Sequence, residues 1–459
     1  MLEAIGVDSI EDLFADIPAE LRLDRPLELP DGLSETEVFD LLAALAARNA
    51  DADSELCFLG AGMYDHYVPA IVDAITQRSE FLTPYTPYQP EVSQGGLQVM
   101  FEFQTAISEL TGLPVANASL YEGPSSVAAA AYLALAAGKG RRKLVVSRGL
   151  HPHSRATLAT YCRGFGAELV EVGLEDGATD AGELAEALDS ETAAVFVQNP
   201  NFLGAVEDLE ALADAAHDAG ALCVAAVDAI TLGVLRSPGE CGVDVAVGEG
   251  QPLGNRLDFG GPSFGFFAAT DQHLRRMPGR IAGETTDADG RRGFVLALQT
   301  REQHIRREKA THNICTSQAL NALAGTIYLA WLGRRGIVEL GELLVRRTAY
   351  AREKLAALDG VELLHEAPVA REFAVRLDAP VGAVVDRVSE EGIAAGYPLG
   401  REYPEYDDGL LVAITERRSR EDIDRLADAL GRAIAEIGGD GAKVADSATK
   451  APIRQETAS

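Results

Sequence analysis

The chain has 459 residues, of which 47% are hydrophobic, so it can bury a large core and is not a disordered protein. Forty basic residues against 71 acidic ones leave a formal net charge of −31, which argues against nucleic acid as a partner because phosphate backbones are bound through Lys and Arg. The acidic start MLEAIGVDSIEDLF lacks the basic region of a signal peptide, and no apolar run reaches the ~20 residues of a membrane span. We therefore expect a globular protein with no membrane segment.

The cysteine and lysine contents are informative about the cellular compartment and the salt environment of the protein. The five cysteines are scattered and form no CxxC pair, which excludes a disulfide framework and a zinc ribbon and favours a reducing cytoplasm. Only six of the 40 basic residues are Lys. Excess carboxylate with scarce Lys is typical of proteins from salt-loving organisms, because concentrated salt screens the repulsion among acidic groups. The sequence therefore predicts a salt-adapted, cytoplasmic protein; an ordinary acidic cytoplasmic protein is the alternative.

In chain order, residues 1–55 are predicted to form an arm with one helix, which Ser34 caps and Glu37 supports three residues later. Beyond residue 140, short apolar runs alternate with amphipathic segments, which predicts a mostly parallel sheet covered on both faces. The predicted strands are 143–147, 168–172, 193–198 and 221–227, with helices near 154–164, 182–188 and 206–220.

A smaller α+β unit is predicted after the large one. Its expected helices are 319–333, 337–358, 380–391 and 420–437, and its expected strands are 361–364, 372–377 and 410–414. The Gly-, Ala- and Ser-rich residues 438–459 have no apolar period and are predicted to be a disordered tail. The expected domains are thus the arm 1–55, a large domain 56–315 and a small domain 316–437.

Four motifs suggest the large fold that many pyridoxal-phosphate (PLP) enzymes share, known as fold type I. In AAVDAITLG, an apolar strand delivers Asp228 at its carboxyl end, where ligands sit in open α/β sheets. A carboxylate there can pair with a protonated pyridine nitrogen and support the electron sink of the cofactor. The alternative is an Asp that only caps a helix or turn.

A second motif, SLYEGPSS followed by a small-residue helix, predicts an anion site in which Gly123, Ser125 and Ser126 supply donors; plain helix capping is the alternative.

In a third motif, HPHSRATLATY, His151 follows a strand and could stack on a cofactor ring. A zinc site made by His151 and His153 is the competing interpretation, but no acidic or thiol ligands stand at suitable spacing, so no metal is expected.

The fourth motif is FLTPYTPYQPE, residues 81–91. Three prolines in eleven residues exclude a regular helix or a central strand, so Tyr85 and Tyr88 should project from a stiff loop. Such loops often position substrate contacts, although packing at a subunit interface is an equally good interpretation.

One expected residue is missing. A PLP enzyme of this kind needs a Lys that binds the cofactor covalently, some twenty residues beyond the strand that carries Asp228. No Lys occurs between Lys143 and Lys309, and Gln251 lies about where the amine is wanted. The chain has the scaffold of the site without its nucleophile.

The chain resembles the P-protein of the glycine cleavage system, a glycine dehydrogenase (decarboxylating), and within that family the α chain of its two-chain form. The resemblance covers residues 1–437 and is most specific in a few stretches. These are FLGAGMYDHYVP (58–69), FLTPYTPYQPEVSQG (81–95), NASLYEGPSS (117–126), GEGQPLGN (248–255) and IRREKATHNICTSQAL (305–320).

The resemblance implies an α/β PLP-transferase-like large domain, a small C-terminal α+β domain and assembly with a β subunit as α2β2. It implies that the β subunit carries the PLP lysine, that glycine is decarboxylated, and that the aminomethyl group passes to the lipoyl group of the H-protein. Tyr85, Tyr88 and Glu91 would then contribute to the β-subunit site across the interface. The chain's own pseudo-site would comprise Gly123, Ser125, Ser126, His151, Asp228, Gln251 and Asn313.

Two alternatives stay open. The chain could be a self-sufficient PLP enzyme that uses Lys309, although a Lys in the basic stretch REQHIRREK (301–309) is more typical of an ion-paired helix face. It could also be a non-catalytic scaffold whose motifs are a structural relic. A partner of the same fold with a Lys near the position of Gln251 would favour the two-chain enzyme.

The charge predicts a salt-dependent stability. Repulsion within a chain of net charge −31 is long-ranged at 0.01 M salt, where the Debye length is ~30 Å, and short-ranged at 1 M, where it is ~3 Å. We expect the midpoint of thermal unfolding to rise across a KCl series. A midpoint that stays flat or falls would contradict salt adaptation.

Overall fold

The computed structural model of the chain describes residues 1–312 and 316–444, and for 439–444 it describes the backbone alone. The described chain divides into two compact units, Met1–Asp51 and a second unit from Ala52 onward. The predicted large and small domains both fall within the second unit, and the boundary between them stays a prediction. The predicted tail from 445 to 459 lies outside the described residues.

The first unit contains the predicted helix. Its helices are Leu2–Ile5 and Glu35–Ala46. The backbone N–H of Glu37 donates to Ser34 Oγ at 3.3 Å, and the backbone N–H of Ser34 donates to Glu37 Oε2 at 2.8 Å. This capping box confirms the predicted helix start, because each partner satisfies a backbone donor that the first helical turn leaves free. Neither helix of this unit buries a residue.

The second unit is built around a seven-stranded sheet. Five neighbouring strands are parallel, and Gly265–Ala269 runs antiparallel between them and a short edge strand. In spatial order the strands are Val115–Ala116, Gly265–Ala269, Val245–Glu249, Leu222–Val227, Thr192–Asn199, Lys143–Ser147 and Glu168–Val172. The four strands predicted from apolar runs are confirmed, within one residue at each end.

Helices cover both faces of this sheet. Val145 points into one hydrophobic core, while its neighbours Leu144 and Val146 point into the other, because successive side chains of a strand alternate. Both faces being apolar explains why an inner strand such as Thr192–Asn199 appears in the sequence as a long apolar run, whereas the edge strand Glu168–Val172 contains two Glu residues. The helices of this part are Ala70–Thr76, Ser79–Leu82, Gln94–Thr111, Gly123–Ala137, Pro152–Phe165, Ala181–Ala187 and Leu209–Asp218.

The C-terminal part has a four-stranded antiparallel sheet. Its strands, in spatial order, are Val361–Leu363, Glu372–Leu377, Gly409–Ala413 and Tyr397–Pro398. The helices Val381–Ser389 and Arg420–Val444 pack with it around one core. The last helix extends to Val444, so the structure places 438–444 in a helix rather than in the predicted tail.

The shorter elements were not predicted. Residues Ile281–Thr286 and Arg292–Ala297 form an antiparallel hairpin. Leu174–Glu175 pairs with Ala178–Thr179, and Leu56–Cys57 pairs with Ile393–Ala394. A four-residue helix, Gln303–Arg306, precedes the undescribed residues 313–315. Within the described ranges, no helix is long and apolar enough to cross a membrane.

The long helix Ala319–Ala356 is broken at one residue. Gly333 has φ 60° and ψ −179°, a conformation outside the helical region. The sequence predicts two helices here, and the structure has two helical stretches that meet at Gly333. Residues with a Cβ avoid this backbone conformation, so a glycine is required at the junction.

The junction can be tested by a pair of Gly→Ala substitutions. Gly333→Ala should lower the free energy of unfolding by about 1–3 kcal/mol, because alanine is strained at that φ and ψ. Gly431→Ala, in the regular helix Arg420–Val444, should raise it by about 0.5–1 kcal/mol, because alanine restricts the unfolded chain and its Cβ would meet only an ordinary contact with Leu358. Denaturant unfolding at constant KCl measures both; a stabilised Gly333→Ala would contradict the assignment.

Candidate active-site cavity and its PLP-enzyme features

A cavity of about 790 Å³ lies at the carboxyl ends of the parallel strands. Gln198 near the end of Thr192–Asn199, Asp228 just after Leu222–Val227, and Glu249 at the end of Val245–Glu249 line it. Ligands of open α/β sheets bind at this edge, since the loops that follow the strands open there. Of the predicted pseudo-site residues, Gly123, His151 and Asp228 line this cavity.

Asp228 is neutralised by Arg371, which directly precedes the strand Glu372–Leu377 of the C-terminal sheet. Its Oδ2 lies 2.5 Å from Nε of Arg371, and both side chains are largely buried. The guanidinium also lies over the ring of Tyr64, at 3.3 Å from the ring centroid, and its Nη1 is 2.5 Å from Nε2 of His66. The carboxylate that the sequence assigned to a pyridine nitrogen is therefore paired within the chain.

The neighbouring Glu372 holds the segment 58–69 over the cavity. Its Oε1 accepts a hydrogen bond from the backbone N–H of Ala61 at 2.8 Å, and its Oε2 accepts one from the phenol of Tyr64. Burial raises the pKa of Glu372, and burial together with the negative charge of Glu372 raises the pKa of Tyr64. The phenol therefore stays protonated and donates.

Gln251 is fully buried and acts as a backbone clamp. Its Oε1 accepts from the N–H of Tyr64 at 2.9 Å, and its Nε2 donates to the carbonyls of Tyr64 at 3.1 Å and Asn255 at 2.7 Å. The amide satisfies an N–H and a C=O at once. An ammonium has donors only, so a Lys at this position would leave the Tyr64 N–H without its acceptor.

The predicted anion site at the start of helix Gly123–Ala137 is occupied by carboxylates of the chain itself. The N–H of Gly123 donates to Glu249 Oε2 at 3.0 Å, and the N–H of Ser125 donates to Glu122 Oε1 at 2.9 Å. Burial raises the pKa of Glu249, while hydrogen bonds from Ser263 and from backbone N–H groups act in the opposite direction. Ser126 is buried and directs its hydroxyl to the Glu122 carbonyl at 2.9 Å.

His151 is held as a neutral ring. Its Nε2 lies 2.8 Å from the carbonyl of Ala61, and its Nδ1 accepts from the N–H of His153 at 3.1 Å. These contacts assign the proton to Nε2, and burial lowers the pKa of His151 to about 4. Within the described residues, no group of three or more His, Cys, Asp or Glu side chains could hold a metal ion, so His151 and His153 form no such cluster.

The loop 81–91 does not reach the cavity. Tyr85, Tyr88 and Glu91 are absent from its lining, and Tyr85 is 71% exposed. Tyr88 is anchored instead, because its phenol donates to Glu302 Oε2 at 3.2 Å and accepts from Arg280 Nη2 at 3.2 Å. The loop thus has one fixed tyrosine and one that projects outward.

Two sequence candidates fall elsewhere. Lys309 ends the short helical turn Arg307–Lys309, is exposed, and does not line the cavity. Asn313 lies outside the described residues. Sequence reasoning missed Arg371, Glu372 and Glu249. Only Glu249 had a local signal, since it stands two residues before Gln251 in GEGQPLGN.

The cavity does not fit PLP, judged by its own contacts. The amine position carries an amide bound to backbone, the pyridine partner Asp228 is paired with Arg371, and the phosphate donors of the helix start are satisfied by Glu122 and Glu249. Each anchor that the cofactor needs is already used within the chain. The polar groups at the positions typical of a PLP-enzyme site are bound to other groups of this chain.

Comparisons with known proteins identify the family. A family model described as glycine cleavage system P-protein matches residues 1–430. The chain belongs to the glycine cleavage system P-protein family. It is 50% identical to the probable glycine dehydrogenase (decarboxylating) subunit 1 of Desulforamulus reducens, over 94% of this chain and 96% of the relative. It is 51% identical to the protein of the same name from Moorella thermoacetica, with the same shares covered.

Solved structures agree with the fold. A crystal structure of glycine decarboxylase (P-protein) of the glycine cleavage system, in inhibitor-bound form, matches with a TM-score of 0.88 at 46% identity, over 94% of this chain and 97% of that one. Glutamate decarboxylase of Lactobacillus brevis matches with a TM-score of 0.69 at 14% identity, over 93% of this chain and 98% of that one, which shows the fold alone. The predicted α/β fold of PLP-dependent enzymes, fold type I, is confirmed.

The buried ion pair generates a prediction about stability. Arg371→Met should lower the free energy of unfolding by about 3–5 kcal/mol, because Asp228 would stay buried without its counter-charge. Arg376→Met, on the strand Glu372–Leu377 that follows Arg371, removes a partly exposed pair with Asp408 and should cost about 0–1 kcal/mol. Denaturant unfolding of both variants measures the difference; equal losses would show that the Arg371 pair is not specially stabilising.

Proposed function

We propose that this chain is the α subunit of a two-chain glycine decarboxylase of the glycine cleavage system, the glycine dehydrogenase (aminomethyl-transferring). The observation that carries the proposal is the buried Gln251 amide, which lies where a PLP enzyme of this fold needs an amine. No Lys occurs between Lys143 and Lys309 to replace it. A second chain has to supply the lysine that holds the cofactor.

The names of the relatives support a second chain. Proteins about 50% identical to this one are named subunit 1, which implies a subunit 2. In the proposed complex the β subunit binds PLP covalently, and PLP there supplies the electron sink for the loss of the glycine carboxylate. The lipoyl group of the H-protein accepts the aminomethyl group. We place this complex in the cytoplasm, in keeping with the scattered cysteines.

The first unit is the part of the chain best suited to a partner interface. Its helix Glu35–Ala46 leaves Val38, Phe39, Leu42 and Leu45 exposed, with Phe39 at 71%. Apolar helical surface of this kind is typically covered in obligate complexes, whose interfaces exceed ~2,000 Å². We propose that the unit packs on the β subunit in an α2β2 assembly.

Two alternatives make different predictions. A self-sufficient enzyme would use Lys309, whose exposed position outside the cavity argues against that role. A non-catalytic scaffold would leave the activity of the β chain unchanged on mixing. The decisive experiment is co-expression with a family member that carries the lysine, followed by glycine–bicarbonate exchange assays on each chain and on the complex.

We expect exchange by the complex and none by this chain alone. The chain is also treated with PLP, reduced with borohydride and digested. A stoichiometric pyridoxyl-lysine at Lys309 would favour the self-sufficient enzyme. Exchange by the β chain alone at the rate of the complex would favour the scaffold.

The loop 81–91 generates a further prediction. We propose that Tyr85 offers its exposed phenol to the β-subunit site, together with Glu91, while Tyr88 holds the loop through Arg280 and Glu302. Tyr85→Phe should lower turnover of the complex by about 10²–10³, the effect of removing one positioned donor. Tyr88→Phe should also lower turnover, because the loop loses its anchor.

Turnover, sedimentation and cofactor absorbance are measured on the same samples. Tyr161→Phe is the control, since Tyr161 is 42% exposed, belongs to helix Pro152–Phe165 and does not line the cavity. Unchanged turnover in both loop variants would show that the loop only packs. Loss of assembly would show that its interface role dominates and would overturn the catalytic assignment.

A further inference from the structure

A separate inference concerns the chain's own cavity and goes beyond the proposed function. A helix start binds phosphate through the N–H groups of its first turn, which have no partner inside the helix, aided by nearby hydroxyls. The start of helix Gly123–Ala137 lines the cavity, and its first turn combines backbone N–H groups with the hydroxyls of Ser125 and Ser126. What it can bind depends on which of those donors remain free.

Every donor of this first turn is used within the chain. The Gly123 N–H donates to Glu249 Oε2 at 3.0 Å, and residue 124 is proline, which has no N–H. The Ser125 N–H donates to Glu122 Oε1 at 2.9 Å, and the Ser126 N–H donates to the Glu122 carbonyl at 3.0 Å. The two hydroxyls are used as well: that of Ser125 donates to the Glu122 carboxylate, and that of Ser126 donates to the Glu122 carbonyl.

The two carboxylates are held firmly in place. Glu249 Oε1 also accepts from the hydroxyl of Ser263 at 2.5 Å and from the N–H of Gln251 at 2.9 Å. Gly265 stands at the helix start, where an added Cβ would clash with Ser126 Oγ and the Glu122 carbonyl, so no space separates the helix from the sheet. The positive end of the helix dipole is thus matched by negative charge from the chain.

We infer that Glu122 and Glu249 act as an internal anion at the start of helix Gly123–Ala137, so that the cavity of this chain excludes phosphate esters. A phosphate at this helix start would find no free donor among the four first-turn residues and would face two carboxylates. Exclusion therefore has two causes, used hydrogen bonds and like charge. It is a property of these side chains and is separate from the missing lysine.

The test uses two probes that differ only in the phosphate, pyridoxine 5′-phosphate and pyridoxine, and neither carries an aldehyde. Equilibrium dialysis at constant salt compares the wild-type chain with Glu249→Ser and with the double variant Glu122→Ala, Glu249→Ser, in which the N-cap position 122 has no side-chain acceptor for the Ser125 N–H. We expect no 1:1 binding of either probe to the wild type. The double variant should bind pyridoxine 5′-phosphate at least ten-fold more tightly than the wild type does, and more tightly than it binds pyridoxine.

Glu168→Ser is the matched control, because it removes the same charge from an exposed position on the edge strand Glu168–Val172 and should not gain binding. Circular dichroism checks that the variants fold, and Glu249→Ala, which leaves no acceptor for the Gly123 N–H, replaces any that do not. Phosphate-dependent 1:1 binding by the wild type would overturn the inference, as would a folded variant without any gain. Glycine exchange by the two-chain complex tests the proposed function independently of this result.

Discussion

The Arg371 guanidinium is the interaction around which the cavity is organised. It brings the end of the central strand at Asp228, the segment at Tyr64 and His66, and the C-terminal sheet into one buried network. A buried cation requires opposite charge and aromatic or polar neighbours at short distance, and each of these comes from a different part of the second unit. The position of the C-terminal sheet relative to the central sheet is fixed by this requirement as well as by apolar packing.

Around this centre, groups typical of a PLP site serve structure instead. Asp228 neutralises an arginine, Gln251 holds the backbone of Tyr64, and Glu249 closes the start of a helix. A buried polar group has to be satisfied whether or not a ligand is present, so a chain that does not use the cofactor must provide internal partners. The internal pairing of the cavity's polar groups is therefore consistent with the proposed need for a second chain that holds the cofactor.

The parts of the fold that follow from local pattern were predictable from the sequence. Strands 193–198 and 221–227 match because parallel strands covered on both faces are long apolar runs, and the capping box at Ser34 is a local motif. The antiparallel strand Gly265–Ala269 was missed because five apolar residues after the Gly-Gly-Pro-Ser turn do not distinguish a strand from a helix. The helix beyond 437 was missed because Gly438, Gly439 and Gly441 are poor helix formers. Long-range partners were missed for a different reason: Gly123 and Glu249 are 126 residues apart, and no periodicity relates them.

The Gln251 clamp has a consequence for how such a chain can change over generations. A glutamine codon becomes a lysine codon by one base, so the change Gln251→Lys is genetically accessible at any time. The clamp makes that step disadvantageous, because the new ammonium cannot accept from the Tyr64 N–H and the carboxylate of Glu249 still fills the helix start. Several coordinated replacements would be needed before any one of them was useful. The proposed division of labour between two chains, once stabilised by such contacts, is therefore difficult to reverse.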